Sequence, residues 1–282
     1  MPPLRLIAVD IDGTLLDSKF RVSEANLHAL HDAHEAGIQI VLATGRRHSF
    51  TRPITSLLGF SPIIVSSNGA VTRCADGKLF SKMLMPKELA CELLDTMQPW
   101  ANQAVITMDR EGPTALYVQS WKDVSARIAL WVENNQQEIT EANPLKSIIT
   151  EDPLQLMFCG TLAEMEPAVA HLDTTPLRDH LSIHTTQYDK RNLSIIDVMA
   201  RGVTKGQALS QLCSSLGITR DEVLAIGDNY NDVEMLEFAG HAYIVENAHE
   251  EMKDRGWTIT RSNDEDGVAH AIASVLEAAP AR

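Results

Sequence analysis

Asp10 and Asp12 stand two residues apart and Gly13 follows at once. On a strand they would point to one side. The glycine lets the chain bend tightly beside a ligand and leaves amide N–H groups free to face an anion. An ordinary surface turn uses the same residue types, so this stretch alone decides nothing. Three later groups change the balance: Thr44, Lys205, and the pair Asp228 and Asp232. Four carboxylates, one lysine and a phosphate of about −2 sum to roughly −5, which a site cannot hold unaided. A divalent, oxygen-seeking cation such as Mg²⁺ is implied. With it, lysine and amides could neutralise a transferring phosphoryl group, one carboxylate could attack phosphorus, and a second could carry a proton.

Such residues must be positioned by strands. Leu4 to Val9 reads as a short buried strand leading into Asp10. Ser23 can cap a helix that runs to Ala36 and stops at Gly37. Ile38–Ala43 and Pro62–Ser66 read as further strands, the first ending at Thr44-Gly45-Arg46 and the second at Ser67-Asn68-Gly69. Alternating strands and helices predict a parallel sheet with ligands beyond its carboxyl edge. Asp10, Thr44 and Asn68 all fall on that edge. Asp76-Gly77 between two short β-like runs predicts a hairpin. Thr204 with Gln207 forms a capping box that places Lys205 in the first turn of a helix, where anions are attracted. Val223–Ile226 reads as a strand ending in Gly227-Asp228, and Asp232 starts the next helix.

The middle third lacks this acidic punctuation and reads as a separate α/β domain. We expect an α/β fold with a Rossmann-like core of residues 1–83 plus 192–282, interrupted by an α/β domain over 84–191.

Composition bounds the partners. The net charge of −14 disfavours nucleic acid and anionic membrane surfaces, but a local cation permits a phosphate ligand. Cys74, Cys91, Cys159 and Cys213 form no CxxC pair and read as free thiols of a reducing compartment. No leader-like or membrane-spanning run is evident, so a cytoplasmic location is expected. The composition names no oligomeric state. His28, His31 and His34 spread over a helix face with no companion ligand, which reads as a solvated surface.

Taken in order, Asp10-Ile11-Asp12-Gly13-Thr14, Ala43-Thr44-Gly45-Arg46, Lys205-Gly206 and Gly227-Asp228-Asn229-Tyr230-Asn231-Asp232 resemble the motifs of haloacid dehalogenase (HAD) superfamily phosphatases of the Cof type. Asn68-Gly69-Ala70 resembles a further Cof-type segment. The resemblance covers essentially the whole chain. It implies a HAD core with an inserted α/β cap that closes over the site, and Mg²⁺-dependent hydrolysis of small phosphorylated metabolites such as sugar phosphates. By resemblance Asp10 is the nucleophile and Asp12 the general acid/base. Mg²⁺ would be held by the Asp10 carboxylate, the Asp12 carbonyl and the Asp228 carboxylate. Thr44, Gly45, Lys205, Asn231 and the amides near Ile11 would hold phosphoryl oxygens, and Asp232 would orient Lys205 or a metal water. Arg46 could meet substrate or cap a surface. Tyr188-Asp189-Lys190-Arg191 could touch substrate or form an exposed hairpin, and Asp197 occupies a position that often carries an acid. The same core could serve a phosphomutase or phosphotransferase. A sensor that binds without turnover is the rival from another class, and retention of both Asp10 and Asp12 argues against it.

Overall fold

A computed structural model describes residues 3–188 and 191–278. Its first half-unit runs β1 (Leu6–Asp10), α1 (Glu24–Glu35), β2 (Gln39–Ala43), α2 (Arg52–Thr55), β3 (Ile63–Ser66), β4 (Val71–Cys74) and β5 (Leu79–Lys82). Then come α3 (Lys87–Thr96), β6 (Ala104–Thr107), β7 (Leu116–Val118), α4 (Trp121–Asn135), β8 (Ile139–Glu141), β9 (Gln155–Gly160), α5 (Leu162–Asp173), β10 (Leu181–Tyr188) and β11 (Leu193–Ala200). The chain closes with α6 (Lys205–Leu216), β12 (Val223–Gly227), α7 (Val233–Phe238), β13 (His241–Val245), α8 (Glu250–Lys253), β14 (Thr258–Thr260) and α9 (Gly267–Ala278). It divides into two compact units, residues 1–82 with 204–282, and residues 83–203.

The first unit is built on one sheet of order β14-β13-β12-β1-β2-β3-β4-β5. From β14 to β3 every pairing is parallel, while β4 and β5 add an antiparallel hairpin. β1 lies inside the sheet and is buried along its whole length, so it reads as a continuous apolar run rather than an alternating one. Leu6 and Ala8 face the core formed with Leu209, Leu212, Met235 and Leu236 of α6 and α7. Ile7 and Val9 face the opposite core, with Leu30 and Ala33 of α1 and Val268 and Ile272 of α9. Both faces are therefore covered. Ligand access is left to the strand ends, where parallel α/β sheets place their sites.

The second unit carries a sheet of order β10-β11-β9-β6-β7-β8, antiparallel except for β7 with β8. Leu93 and Met97 by α3, and Met165 and Leu172 of α5, pack on Leu156, Phe158, Ile196 and Val198. Sequence reasoning placed the second junction near 192. The second unit instead runs to 203, because β11 bonds to β9 on one side and β10 on the other. No helix among the described residues is long and apolar enough to cross a membrane.

Candidate active site

The site grows from the carboxyl ends of β1, β2 and β12. Val9 lies opposite Ile226 in parallel register, so Asp10 and Asp228 leave the sheet at the same edge. Gly13 has φ +91°, and a Cβ there would lie 2.4 Å from Asp228 Oδ2. Only glycine tolerates both demands. Thr14 Oγ1 then donates to Asp228 Oδ1 at 3.0 Å, which ties the loop after β1 to the loop after β12.

Lys205 is fully buried in the first turn of α6. Thr204 caps that helix by accepting from the Gln207 amide at 3.0 Å. The lysine Nζ donates to Asp10 Oδ1 and Asp232 Oδ1, both at 2.6 Å. Asp232 Oδ2 accepts from the amides of Asp228 at 3.0 Å and Asn229 at 3.1 Å. Both oxygens of Asp232 are thus engaged. Asp10 Oδ2, by contrast, is buried with no hydrogen-bond partner among the described residues. Burial without a partner is costly, and such an atom asks for a ligand.

Charge gives the same direction. With Asp10, Asp228 and Asp232 ionised against Lys205, the buried centre carries −2, three negative charges less one positive. Burial pushes the Asp10 carboxyl up to about 7 against the opposing pull of Lys205, and the charges of Asp232 and Asp12 add to the rise. Burial also holds Asp228 well above the usual carboxylate range, with Asp10 and Asp232 reinforcing it. For Lys205 burial alone would act downward, but the charges of Asp10 and Asp232 outweigh it and hold the ammonium above its ordinary range. Excess negative charge is therefore resisted by the protein itself. One oxygen from each of Asp10, Asp228 and Asp232 can lie within 4.8 Å of the others. An all-oxygen donor set of this charge fits a hard divalent cation. Since Asp232 is already bonded twice over, Asp10 and Asp228 are the side chains left to hold it.

The remaining sequence-predicted residues fall around this centre. Thr44 directly follows β2 and is buried, and its Oγ1 accepts from the Arg46 amide at 3.0 Å. Ile11 is buried beside Asp10. Asn231 is 8% exposed and donates through Nδ2 to Asn68 Oδ1 at 2.9 Å. Asn68 also lies against Gly45, where a Cβ would meet Asn68 Oδ1 at 3.2 Å. Asp12 does not join the buried carboxylates. Its two oxygens accept from Arg46 Nε at 2.7 Å and Nη2 at 2.6 Å, a two-point fork at a partly exposed position. Arg46 was read as a substrate contact or a surface cap, and the Asp12 fork is neither. No local signal could have found it, because the fork depends on how the loops after β1 and β2 approach each other. Thr14 was likewise missed as a partner of Asp228.

Two further readings lie in the second unit. Asp197 is 7% exposed and accepts from Gln155 Nε2 at 2.9 Å. The Tyr188–Arg191 segment falls partly outside the described residues, which omit 189 and 190. The histidines of α1 lie along its surface, with His34 stacked on Phe60 at 4.1 Å between ring centroids. Asp10, Asp228 and Asp232 form the one group of metal-capable side chains among the described residues.

Known proteins share this arrangement of chain and fold. Residues 7–272 match the family model of haloacid dehalogenase-like hydrolases. A protein of Bacillus subtilis named phosphatase YwpJ is 31% identical, covering 97% of this chain and all of its own. A second from that organism, named 5-amino-6-(5-phospho-D-ribitylamino)uracil phosphatase YwtE, is 27% identical over 97% of this chain and 98% of its own. The solved structure of a haloacid dehalogenase-like hydrolase from B. subtilis superposes with a TM-score of 0.80 at 26% identity, covering 96% of this chain and 99% of that one. A match over nearly its whole length means that the chain belongs to the haloacid dehalogenase-like hydrolase family and is one of its phosphatases.

Proposed function

We propose that the chain is a Mg²⁺-dependent phosphatase of small phosphorylated metabolites, acting through an aspartyl-phosphate on Asp10. The observation that carries the reading is the buried Asp10–Lys205–Asp232 chain, which pins one oxygen of Asp10 and leaves the other unbonded. The Asp10 carboxylate attacks phosphorus, an acyl phosphate bond forms, and the bond to the leaving oxygen breaks. Asp12, protonated at one oxygen while Arg46 holds the other, gives the leaving oxygen its proton. Water then attacks phosphorus, Asp12 takes a proton from it, and inorganic phosphate leaves with Asp10 restored. Lys205, Thr44, Asn231 and the amides of Ile11 and Gly45 hold the phosphoryl oxygens in this scheme. Asp10, Asp228 and the Asp12 carbonyl would hold Mg²⁺, which when bound would neutralise charge on the phosphoryl group.

Relatives support the substrate class. The YwtE relative is named for a phosphorylated ribitylamino compound. A Yersinia pseudotuberculosis relative, 29% identical over 95% of this chain and 94% of its own, is named for HMP-PP. Both names denote small phosphorylated metabolites. The second unit, residues 83–203, is assigned the selection among leaving groups.

The test is a screen of phosphorylated metabolites for phosphate release with Mg²⁺ and with excess chelator. Release that needs Mg²⁺ supports the reading. Full turnover in chelator contradicts the charge balance on which it stands.

A further inference from the structure

Ser67, Asn68 and Gly69 occupy the left-handed region in succession, with φ of +48°, +51° and +107°. Two adjacent non-glycine residues there are uncommon, and such strain persists only where the surroundings impose it. Here they do. The Ser67 amide donates to the Arg46 carbonyl at 2.8 Å, and the Asn68 amide to the Thr44 carbonyl at 3.0 Å. Gly69 presses on the start of α6, where a Cβ would lie 2.2 Å from the Thr204 carbonyl oxygen. The turn thus locks the loop bearing Thr44 and Gly45 to the helix bearing Lys205. Its side chain reaches the third phosphate-holding element: Asn68 is 1% exposed, and its Oδ1 accepts from Asn231 Nδ2 at 2.9 Å.

We propose that Asn68 is a positioning residue, strained so that its side chain fixes the amide of Asn231 for the phosphoryl group. The proposal rests on the reading of Asn231 as a phosphate-holding residue. A primary amide has two N–H groups. Donating one to Asn68 fixes the amide plane and gives the second a set direction. Without Asn68 the Asn231 amide could rotate, and its hydrogen bond to phosphate would have to be ordered at each binding event. Asparagine suits the position twice, since it tolerates the left-handed backbone and supplies the acceptor.

The experiment uses inorganic phosphate as a competitive inhibitor of p-nitrophenyl phosphate hydrolysis by the full chain. Asn68→Gly accepts the positive φ and removes only the side chain, whereas Asn68→Ala removes it and adds backbone strain. We expect both to raise the phosphate Ki about five- to tenfold, the effect of one hydrogen bond. Asn231→Ala should do the same, and Asn68→Gly combined with Asn231→Ala should be no worse than Asn231→Ala alone. A normal Ki in Asn68→Gly with a raised Ki in Asn68→Ala overturns the proposal, because the backbone alone would then matter. A double variant weaker by the full product also overturns it, since Asn68 would act on phosphate directly. An unchanged Ki in Asn231→Ala is a separate failure, that of the underlying assignment, and takes the proposal with it.

Discussion

Asp10 and Asp12 are separated by one residue and by everything around them. Asp10 is buried against Lys205, while Asp12 is partly exposed and held by a guanidinium fork. Different surroundings give different work to identical side chains. Asp10→Asn removes the attacking carboxylate, so no phosphoenzyme should form with any substrate. Asp12→Asn keeps the size and loses the proton carrier, a change typically worth ~10²–10⁴-fold. Given a leaving group that departs without a proton, Asp12→Asn enzyme should accumulate aspartyl-phosphate at Asp10, read by trapping and peptide mass. Phosphate on Asp12 of the unmodified enzyme would exchange the two roles. The fork gives a second prediction. Lysine cannot reproduce a two-point contact, so Arg46→Lys should lower kcat/KM, which reports the first step, about tenfold on an alkyl phosphate. The loss on p-nitrophenyl phosphate should be smaller, because that step leans less on Asp12. Equal losses on both substrates would show that Arg46 does not act through Asp12.

At the scale of elements, close approach decides more than propensity. Gly206 is the second residue of α6, where exchange for alanine would ordinarily add helix stability, at most about 1 kcal/mol. Here the new Cβ would lie 2.4 Å from the carbonyl carbon and oxygen of Glu234 in α7. Backbone atoms cannot step aside as a side chain can, and overpacking costs typically 1–3 kcal/mol, so sterics prevail. Gly206→Ala should lower the thermal midpoint, with Lys205 displaced and turnover reduced. A raised midpoint would mean that α6 and α7 can part. Much of this architecture was legible because its signals are local: Val223–Ile226 was read as a strand and β12 spans Val223–Gly227, and Ser23 caps α1 through the Asn26 amide as its type suggests. The strands β8 and β14 were not legible. Each has three residues and lies at a sheet edge, too short for a period and with Thr258 and Ile259 both exposed. The second junction lies at 204 rather than 192 because β11, buried at six of its eight positions, reads in sequence like any apolar strand, and only its partners reveal its sheet. At the site, Asp10, Lys205, Asp228 and Asp232 stand out by type and the structure brings them together, whereas Arg46, Thr14 and the Asn68–Asn231 bond depend on contacts between distant loops.

For the molecule as a whole, the buried carboxylates tie stability to both protons and metal. Asp10 moves from 3.8 to about 7 on folding without metal, so between those values the folded chain holds a proton that the unfolded chain has lost. Stability from this group is full below about 3.8 and declines as pH rises toward about 7. The slope is at most about 1.4 kcal/mol per pH unit for one proton. Asp228 is shifted in the same direction and steepens the decline. A divalent cation competes for the same oxygens and binds the folded state, so it should restore what deprotonation removes. Chelator-treated protein should therefore melt at lower temperature as pH is raised from about 5 to about 7.5, and Mg²⁺ should raise the midpoint more at the upper pH than at the lower. Other groups also titrate over this range, so the decisive comparison is with Asp10→Asn, in which the pH slope should flatten and the Mg²⁺ increment shrink together. A Mg²⁺ increment that ignores pH, or that survives intact in Asp10→Asn, would place the cation elsewhere than on the unbonded oxygen of Asp10.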